Sequence, residues 1–109
     1  MRTSLYRVIS NPGSFDGCHI ITQGVFKYKS QDPSVLYSDL SSYEYDAYLN
    51  VIEIILPENA PTDQYDWRTG SFVTVEGVFV QNHVSLYPAG RVMDIKKIEI
   101  LLKKQIIIE

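Results

Sequence analysis

Hydrophobic and other residues alternate along residues 70–79 in the way that a β-strand requires. Val73, Val75 and Phe79 fall on one face with Gly77 between them, and the intervening residues fall on the other. Because strand side chains point alternately to the two faces, this pattern predicts a strand with one buried face. A glycine inside a strand marks a bulge, a sharp bend or a close approach of two backbones. We therefore expect a small and strongly curled sheet.

The same pattern occurs earlier in the chain, at residues 17–26. Gly24 stands in the place of Gly77, and Val25-Phe26 stands in the place of Val78-Phe79. Two shorter sequence repeats follow: Leu36-Tyr37 recurs as Leu86-Tyr87, and Ile52-Glu53-Ile54 recurs as Ile98-Glu99-Ile100. Two explanations stay open: either the chain holds two related β units, or two strands of one barrel share a packing requirement without duplication.

The remaining elements follow from the same alternation and from residues that favour turns. The pattern predicts a short helix over residues 4–10, strands over 18–29, 35–37, 50–56 and 71–80, and turns at Asn11-Pro12-Gly13, Phe15-Asp16-Gly17, Gln31-Asp32-Pro33-Ser34, Gln81-Asn82-His83 and Pro88-Ala89-Gly90. Residues 57–69 are polar and form the longest predicted loop. Residues 91–102 fit a helix or a strand, and their β-branched content favours a strand bent near Lys96-Lys97.

Two further stretches of the sequence are each compatible with more than one structure. Residues 39–49 carry three tyrosines that follow no single period, and Ser41 or Ser42 would cap a short helix there. The isoleucines at 106–108 predict a last strand, which either pairs at an edge between chains or closes the barrel within one chain. This second stretch leaves the oligomeric state open.

The predicted fold class is mainly β with minor α. Five or six strands, little helix and kinking glycines favour a small, strongly curled five- or six-stranded OB-like barrel with a short N-terminal helix. A chain of 109 residues is long enough to bury one modest core, so we expect a single domain spanning residues 1–109.

Cysteine content and apolar runs bear on the cellular compartment. Cys18 is the only cysteine, which excludes a disulfide framework and a cysteine-based metal site. Apolar runs such as Ile54-Ile55-Leu56 and Ile106-Ile107-Ile108 are far shorter than the roughly 20 residues that span a bilayer. The first residues lack the apolar core of a signal peptide. We expect a cytoplasmic protein with no membrane partner.

Packing and turn residues carry a resemblance to a known group of domains. They are Asn11-Pro12-x-x-Phe15-Asp16-Gly17, the alternating strand to Gly24-Val25-Phe26, then Leu36-Tyr37 and the strand at residues 70–79. In these positions the chain resembles small uncharacterised bacterial domains with an OB-like barrel. Some members of such groups lie beside toxin genes as immunity proteins, and the resemblance implies that function here. Cys18 departs from the pattern, since it stands where a basic residue is expected.

The net charge of −3 conceals an uneven distribution. Eight acidic residues and no Lys or Arg lie between Ser30 and Trp67, whereas the rest of the chain holds five acidic and ten basic residues. The middle therefore carries −8 and the flanks together carry +5. Segregated charge governs association with partners more than it governs the fold.

Residue types that carry catalysis are sparse in this sequence. Its two histidines are His19 and His83, and His19 follows Cys18 directly, so the two side chains point to opposite faces of a strand and form no Cys–His pair. No phosphate loop, dinucleotide motif, nucleophile elbow or metal-ligand spacing occurs. Glu58, Asp63 and Asp66 are spaced unlike any calcium loop. We therefore expect neither an enzyme nor a bound cofactor or metal.

Aromatic residues in the acidic span point to a protein partner. Tyrosine and tryptophan are enriched at interface hot spots, and acidic groups around them would steer a basic partner. The predicted partner-binding residues are Asp39, Tyr43, Glu44, Tyr45, Asp46, Tyr48, Glu58, Asp63, Tyr65, Asp66 and Trp67. In the alternative interpretation, which needs no partner, some of these tyrosines are core residues and some of the acidic residues only keep the surface soluble. We expect a non-catalytic protein-binding module, in its sharpest form an immunity protein that neutralises a basic, nuclease-type toxin.

The alternative function is single-stranded nucleic-acid binding, which OB-folds often perform. That function needs a basic groove with aromatic side chains on which bases stack. The C-terminal segment supplies the positive charge, through Arg91, Lys96, Lys97, Lys103 and Lys104. This segment contains no aromatic residues, however, and the aromatic residues of the acidic span lie among carboxylates that repel phosphates. Nucleic-acid binding is therefore the less favoured hypothesis.

Overall fold

The computed structural model describes residues 1–29, 33–57, 69–81 and 88–101. That part of the chain holds five strands and two α-helices. In chain order they are α1 (Leu5–Ser10), β1 (His19–Lys27), β2 (Ser34–Tyr37), α2 (Leu40–Tyr45), β3 (Val51–Ile54), β4 (Phe72–Gln81) and β5 (Gly90–Ile100). The strands close a barrel in the order β1-β2-β3-β5-β4. The predicted fold class, a mainly β OB-like barrel with a short N-terminal helix, is confirmed.

The long strand β1 joins two parts of the barrel. Residues 25–27 pair antiparallel with β2, where Val25 lies opposite Tyr37, and residues 19–25 pair antiparallel with β4. Strands β3 and β5 run parallel and close the barrel through a short contact, in which Glu53 lies opposite Arg91. The five described strands therefore complete the barrel. The predicted strand at residues 106–108 lies outside the described residues.

The two repeated phrases face each other across the β1–β4 ladder. Gly24 lies opposite Val73, and Gly77 lies opposite Ile20. Because the repeat equates Gly24 with Gly77 and Ile20 with Val73, the two strands are related by a local two-fold axis. Each glycine thus lies beside the equivalent residue of the other phrase.

Both glycines lie where a third strand comes close. A Cβ atom added at Gly24 would lie 2.5 Å from the carbonyl oxygen of Tyr37 in β2. One added at Gly77 would lie 2.6 Å from the carbonyl oxygen of Met93 in β5. The close backbone approach predicted from the sequence is confirmed at both positions, and it gives the two phrases the same packing requirement.

One face of every strand packs into the barrel interior. The core cluster comprises Leu5, Val8, Phe15, Ile20, Phe26, Leu36, Ile52, Ile54, Val73, Val75, Phe79, Ala89, Val92 and Ile98. Leu5 and Val8 come from α1, whose i, i+3 spacing places both on one face of the helix. Alternation along β4 is confirmed, because Val73, Val75 and Phe79 are all fully buried.

Strand β5 resolves the first sequence ambiguity in favour of a strand. Its register against β4 shifts between Glu76 and Val78, and Asp94 in the bulged stretch has a positive φ of 51°. A bulge of this kind bends a strand and increases its twist. The bend expected at Lys96-Lys97 therefore occurs close to that position, between Met93 and Lys97.

The second ambiguous stretch forms α2, but its predicted cap is wrong. The cap is Asp39, whose carboxylate Oδ1 accepts a hydrogen bond from the Ser42 amide at 2.7 Å. Ser42 lies inside the helix and is buried, and Ser41 is exposed within it. Aspartate and serine are equally good N-caps, so composition alone could not rank the three candidates. Most of the predicted loop over 57–69, and parts of the turns at 31–34 and 81–83, lie outside the described residues.

Candidate protein-binding surface

Helix α2 lies on the outside of the barrel, over β1, β2 and β3. The outer faces of these strands carry a second apolar cluster of Val25, Val35, Tyr37 and Val51, and Tyr43 of α2 packs against it. The rings of Tyr43 and Tyr37 meet edge to face, with centroids 5.7 Å apart and planes at 83°. Aromatic pairs favour this geometry. The cluster therefore fixes α2 to the barrel wall.

Both ends of α2 are held by a tyrosine that donates to an aspartate. The Tyr6 hydroxyl of α1 donates to Oδ2 of the cap residue Asp39, and the Tyr37 hydroxyl of β2 donates to Oδ1 of Asp46. Asp46 ends the helix with a positive φ of 53°. Aspartate tolerates this left-handed conformation better than most residues do. We call these two hydrogen bonds the tyrosine clamps.

The connection that follows α2 is also tied to the helix. The Asn50 side-chain amide donates to the Ser42 hydroxyl at 3.2 Å, and the Ala47 amide donates to the Ser42 carbonyl at 2.8 Å. The Ser38 amide donates to the Asn50 carbonyl at 2.9 Å, which brings the two ends of the β2–β3 connection together. The connection is therefore a compact, hydrogen-bonded unit.

The clamp at Asp39 perturbs the titration of both its partners. The hydrogen bond from Tyr6, followed by that from the Ser42 amide, lowers the pKa of Asp39 to about 2. The same bond to Asp39 raises the pKa of the Tyr6 phenol. Each shift favours the protonation state that the clamp uses, an ionised carboxylate and a neutral phenol.

Large hydrophobic side chains are exposed on this connection. Of the seven such residues exposed in the described part of the chain, four lie between residues 40 and 49. Tyr45 is 81% exposed and Leu49 67%, and Leu40 and Tyr48 are each about half exposed. We name these four residues, together with the exposed Glu44, the α2 platform. Because these exposed side chains lie close together in the sequence, the connection is a candidate interaction surface.

The structure separates the predicted site residues into three groups. Glu44, Tyr45 and Tyr48 lie on the α2 platform. Tyr43 is half-buried against the outer cluster, and Asp39 and Asp46 hold the ends of α2. The others, Glu58, Asp63, Tyr65, Asp66 and Trp67, lie outside the described residues.

Sequence reasoning missed two members of the platform, Leu40 and Leu49. It selected acids and aromatics by composition and passed over the leucines. The signal that could have found them is the presence of two leucines in a connection that is otherwise mostly polar and aromatic. Apolar residues that the local helix does not bury are candidates for contact with a partner.

The outer face of β2 and β3 bears on the nucleic-acid hypothesis, because OB-folds bind oligonucleotides on that face. Here the face carries the outer cluster and is covered by Tyr43. Next to it lies Glu53, whose carboxylate is 3.7 Å from Nε of Arg91, and only 5% of the Glu53 side chain is exposed. The face thus offers apolar groups and a paired acid where a phosphate backbone needs free basic groups.

Another pair that sequence reasoning missed lies on the outer face of β1 and β4. His19 Nε2 and Glu76 Oε2 are 2.9 Å apart, as diagonal neighbours across the antiparallel ladder. Their separation of 57 positions hides the contact from the sequence. Over the described ranges, no three His, Cys, Asp or Glu side chains are grouped so that they could hold a metal ion. In the same part of the chain, no helix is long and apolar enough to cross a bilayer.

Comparison with known proteins shows a likeness at the level of the fold. The sequence matches no protein-family model, and it matches no curated protein. The crystal structure of a DUF3299 family protein from Pseudomonas aeruginosa PAO1 is similar, with a TM-score of 0.55 and 17% sequence identity. The match covers 84% of this chain but only 66% of that protein, just under two thirds of its length. At this identity the likeness concerns the fold alone.

Proposed function

We propose that this chain is a non-catalytic protein-binding domain whose α2 platform receives a basic protein partner. The observation that carries the proposal is the exposure of four large hydrophobic residues within ten positions of one hydrogen-bonded connection. Interfaces derive much of their affinity from a few aromatic and apolar anchors. Tyr45, at 81% exposure, is the strongest candidate for such an anchor.

The charge around the platform supports a basic partner. Residues 30–67 hold no Lys or Arg, and the last turn of α2 contains Glu44 with no basic residue beside it. The C-terminus of a helix carries a partial negative charge, so an acid there is unfavourable and a cation is favourable. A Lys or Arg side chain from a partner would compensate the negative charge at this end of α2. The same charge would attract a basic partner during its approach.

Preorganisation of the platform supports binding further. The tyrosine clamps and the hydrogen bond that the Asn50 side chain donates to the Ser42 hydroxyl hold the β2–β3 connection before any partner arrives. A surface that is already ordered loses less conformational entropy on association. The short α2 would be marginal on its own, since isolated helices of this length are unstable in water. Its attachment to the barrel is therefore what presents Tyr45 and Glu44 in a fixed arrangement.

The resemblance found in the sequence gives this proposal its most specific form. The partner would then be a basic, nuclease-type toxin, and the domain would act as a bacterial immunity protein in the cytoplasm. A nuclease needs a basic surface to bind phosphates, and an inhibitor with carboxylates around an aromatic anchor would cover that surface. The alternative, nucleic-acid binding, has weaker support because the outer face of β2 and β3 carries an apolar cluster against which Tyr43 of α2 packs.

The proposal is tested by isolating a partner and then titrating it. The full chain, immobilised, is exposed to lysate of the cells that make it, and the protein recovered at one-to-one stoichiometry is purified. We expect Tyr45→Ala to weaken its binding by about 30-fold, which corresponds to the roughly 2 kcal/mol of a hot spot. We expect Glu44→Lys to slow association and to reduce the dependence of the association rate on salt.

The matched control is Glu99→Lys. It makes the same charge change at an exposed side chain of β5, away from the platform. We expect it to leave affinity and association rate nearly unchanged. If Glu99→Lys and Glu44→Lys slow association equally, net charge and not the platform governs binding, and the site assignment is wrong. Recovery of an acidic partner would contradict the proposal itself.

A further inference from the structure

A groove of about 460 Å³ lies beside the N-terminal segment, away from the exposed tip of α2. The segment runs parallel to the start of β1, and the Thr3 amide donates to the Ile21 carbonyl at 3.1 Å. Residues 2–6 form one wall, residues 21–23 of β1 form the floor, and Ser38 and Phe72 complete the lining. Its volume lies within the range that small-molecule sites occupy.

The charge of this groove is opposite to that of the protein. Among the described residues of the lining, Arg2 has the only ionised side chain, although the chain as a whole carries −3. Arg2 is exposed, and no carboxylate among the described residues lies within ion-pair distance of it. A guanidinium presents donors in a planar fork that matches a carboxylate or a phosphate.

The rest of the lining includes apolar side chains and two hydroxyls that already donate hydrogen bonds. Phe72 is 36% exposed in the lining, and Ile21, which lies four positions further along the β1–β4 ladder, is half-buried. The Tyr6 hydroxyl and, more weakly, the Ser38 hydroxyl donate to Asp39, so neither is free to donate to an anion. An anionic group would therefore meet Arg2, and the body of the ligand would lie along Phe72 and Ile21.

We infer that this groove binds a small organic anion, with its carboxylate or phosphate on Arg2 and its apolar body on Phe72 and Ile21. The site is distinct from the α2 platform, and it does not depend on the identity of the protein partner. The inference rests on the cavity, the positive charge of Arg2 and the exposed apolar side chain of Phe72. An acidic peptide would also be attracted by Arg2, and the test below separates it from a small anion.

Three probes that share a phenylbutyl group and differ in their polar group test the inference on the full chain. They are 4-phenylbutyrate, 4-phenylbutylamine and 4-phenylbutanol. Backbone amide shifts of Ile21, Gln23 and Phe72 are followed by NMR during titration. We expect saturable shifts with the carboxylate and at least about tenfold weaker binding of the amine and the alcohol. Arg2→Gln should weaken binding of the carboxylate by about tenfold, because it removes a charge-assisted hydrogen bond.

The control variant is Lys96→Gln, which removes one positive charge from an exposed position on β5. We expect it to leave 4-phenylbutyrate binding unchanged. The inference is overturned if the amine binds as well as the carboxylate, if Lys96→Gln weakens binding as much as Arg2→Gln, or if no saturable shift occurs at millimolar probe. Tighter binding of a tetraglutamate peptide than of 4-phenylbutyrate would likewise overturn it in favour of an acidic protein segment.

Discussion

Adding one methyl group at Gly24 or at Gly77 tests the argument that these glycines shape the barrel. At each position the new Cβ atom would meet a backbone carbonyl of the neighbouring strand, at 2.5 Å for Gly24→Ala and 2.6 Å for Gly77→Ala. A backbone carbonyl cannot rotate away as a flexible side chain can. The strands must therefore move apart, and the ladders on both sides of the glycine must adjust.

The magnitude follows from the size of that movement. A separation of 3.0 Å, the shortest that real Cβ contacts reach, needs a shift of about 0.5 Å at Gly24 and 0.4 Å at Gly77. Overpacking of this kind costs roughly 1–3 kcal/mol. Replacing glycine by alanine offsets about 0.4–1 kcal/mol, because it restricts the unfolded chain. A net loss of about 1–2 kcal/mol would lower the Tm of a domain this size by roughly 4–16 °C.

The assay is urea and thermal unfolding followed by circular dichroism, with Gly13→Ala as the matched control. A Cβ atom at Gly13 would lie 3.7 Å from the Gln81 side chain, which is an ordinary contact. We expect that variant to change the free energy of unfolding by less than about 0.5 kcal/mol. If Gly24→Ala and Gly77→Ala were as mild as Gly13→Ala, the close approach of the strands would not be what requires glycine.

Three further predictions follow from particular contacts. Arg91→Ala leaves the Glu53 carboxylate buried without its partner, and we expect a loss of roughly 3 kcal/mol in urea unfolding. Thr22→Val keeps the shape and removes an unpartnered hydroxyl, so we expect a gain of about 1 kcal/mol by the same measurement. The clamped Asp39 carboxylate has a pKa of about 2 against an ordinary 3.8, so its stabilisation is full above pH 4 and disappears as pH falls towards 2. Tyr6→Phe removes the largest cause of that shift, so its unfolding free energy should depend less on pH between 4 and 2.

Each of these predictions has a result that would contradict it. Lys97→Ala removes a charge whose partner, Glu99, is exposed, and a loss as large as that of Arg91→Ala would refute the role of burial. A lower Tm for Thr22→Val would show that its hydroxyl contributes to the fold. Parallel stability curves for the wild type and Tyr6→Phe in acid would show that the clamp does not set the titration of Asp39.

The strands could be predicted from the sequence because their signal is local. The alternation in residues 70–79 is enough to predict the buried face of β4. The glycine in each repeated phrase predicts a close approach of another strand without showing which strand it is. The same holds for α1, whose buried residues Leu5 and Val8 are three positions apart and whose end is marked by Asn11-Pro12-Gly13. These elements need no knowledge of tertiary structure.

The surface at α2 could be predicted only in outline, because tertiary contacts decide which side chains it exposes. Tyr43 and Tyr45 are two positions apart and alike in composition, yet the first packs on the outer cluster and the second is exposed. The choice depends on where Val25 and Val51 lie, on strands distant in sequence. Similarly, the clamp between Tyr6 and Asp39 joins residues 33 positions apart. Composition can therefore indicate which segment forms such a surface, but tertiary packing decides which of its side chains are exposed.

The outer wall of β1 explains why two different surfaces arise on one small barrel. Its C-terminal half, at Val25, lies beneath the cluster that α2 covers, whereas its earlier residues 21–23 form the floor of the groove. Tyr6 stands at the boundary, since it lines the groove while its hydroxyl holds the cap of α2. On the outer face of β2 and β3, where OB-folds bind oligonucleotides, Tyr43 of α2 packs on the apolar cluster, and the α2 platform beside it carries Glu44 and the exposed Tyr45. The part of the wall that α2 leaves open keeps a positive charge at Arg2, which is why we assign the two surfaces partners of opposite charge.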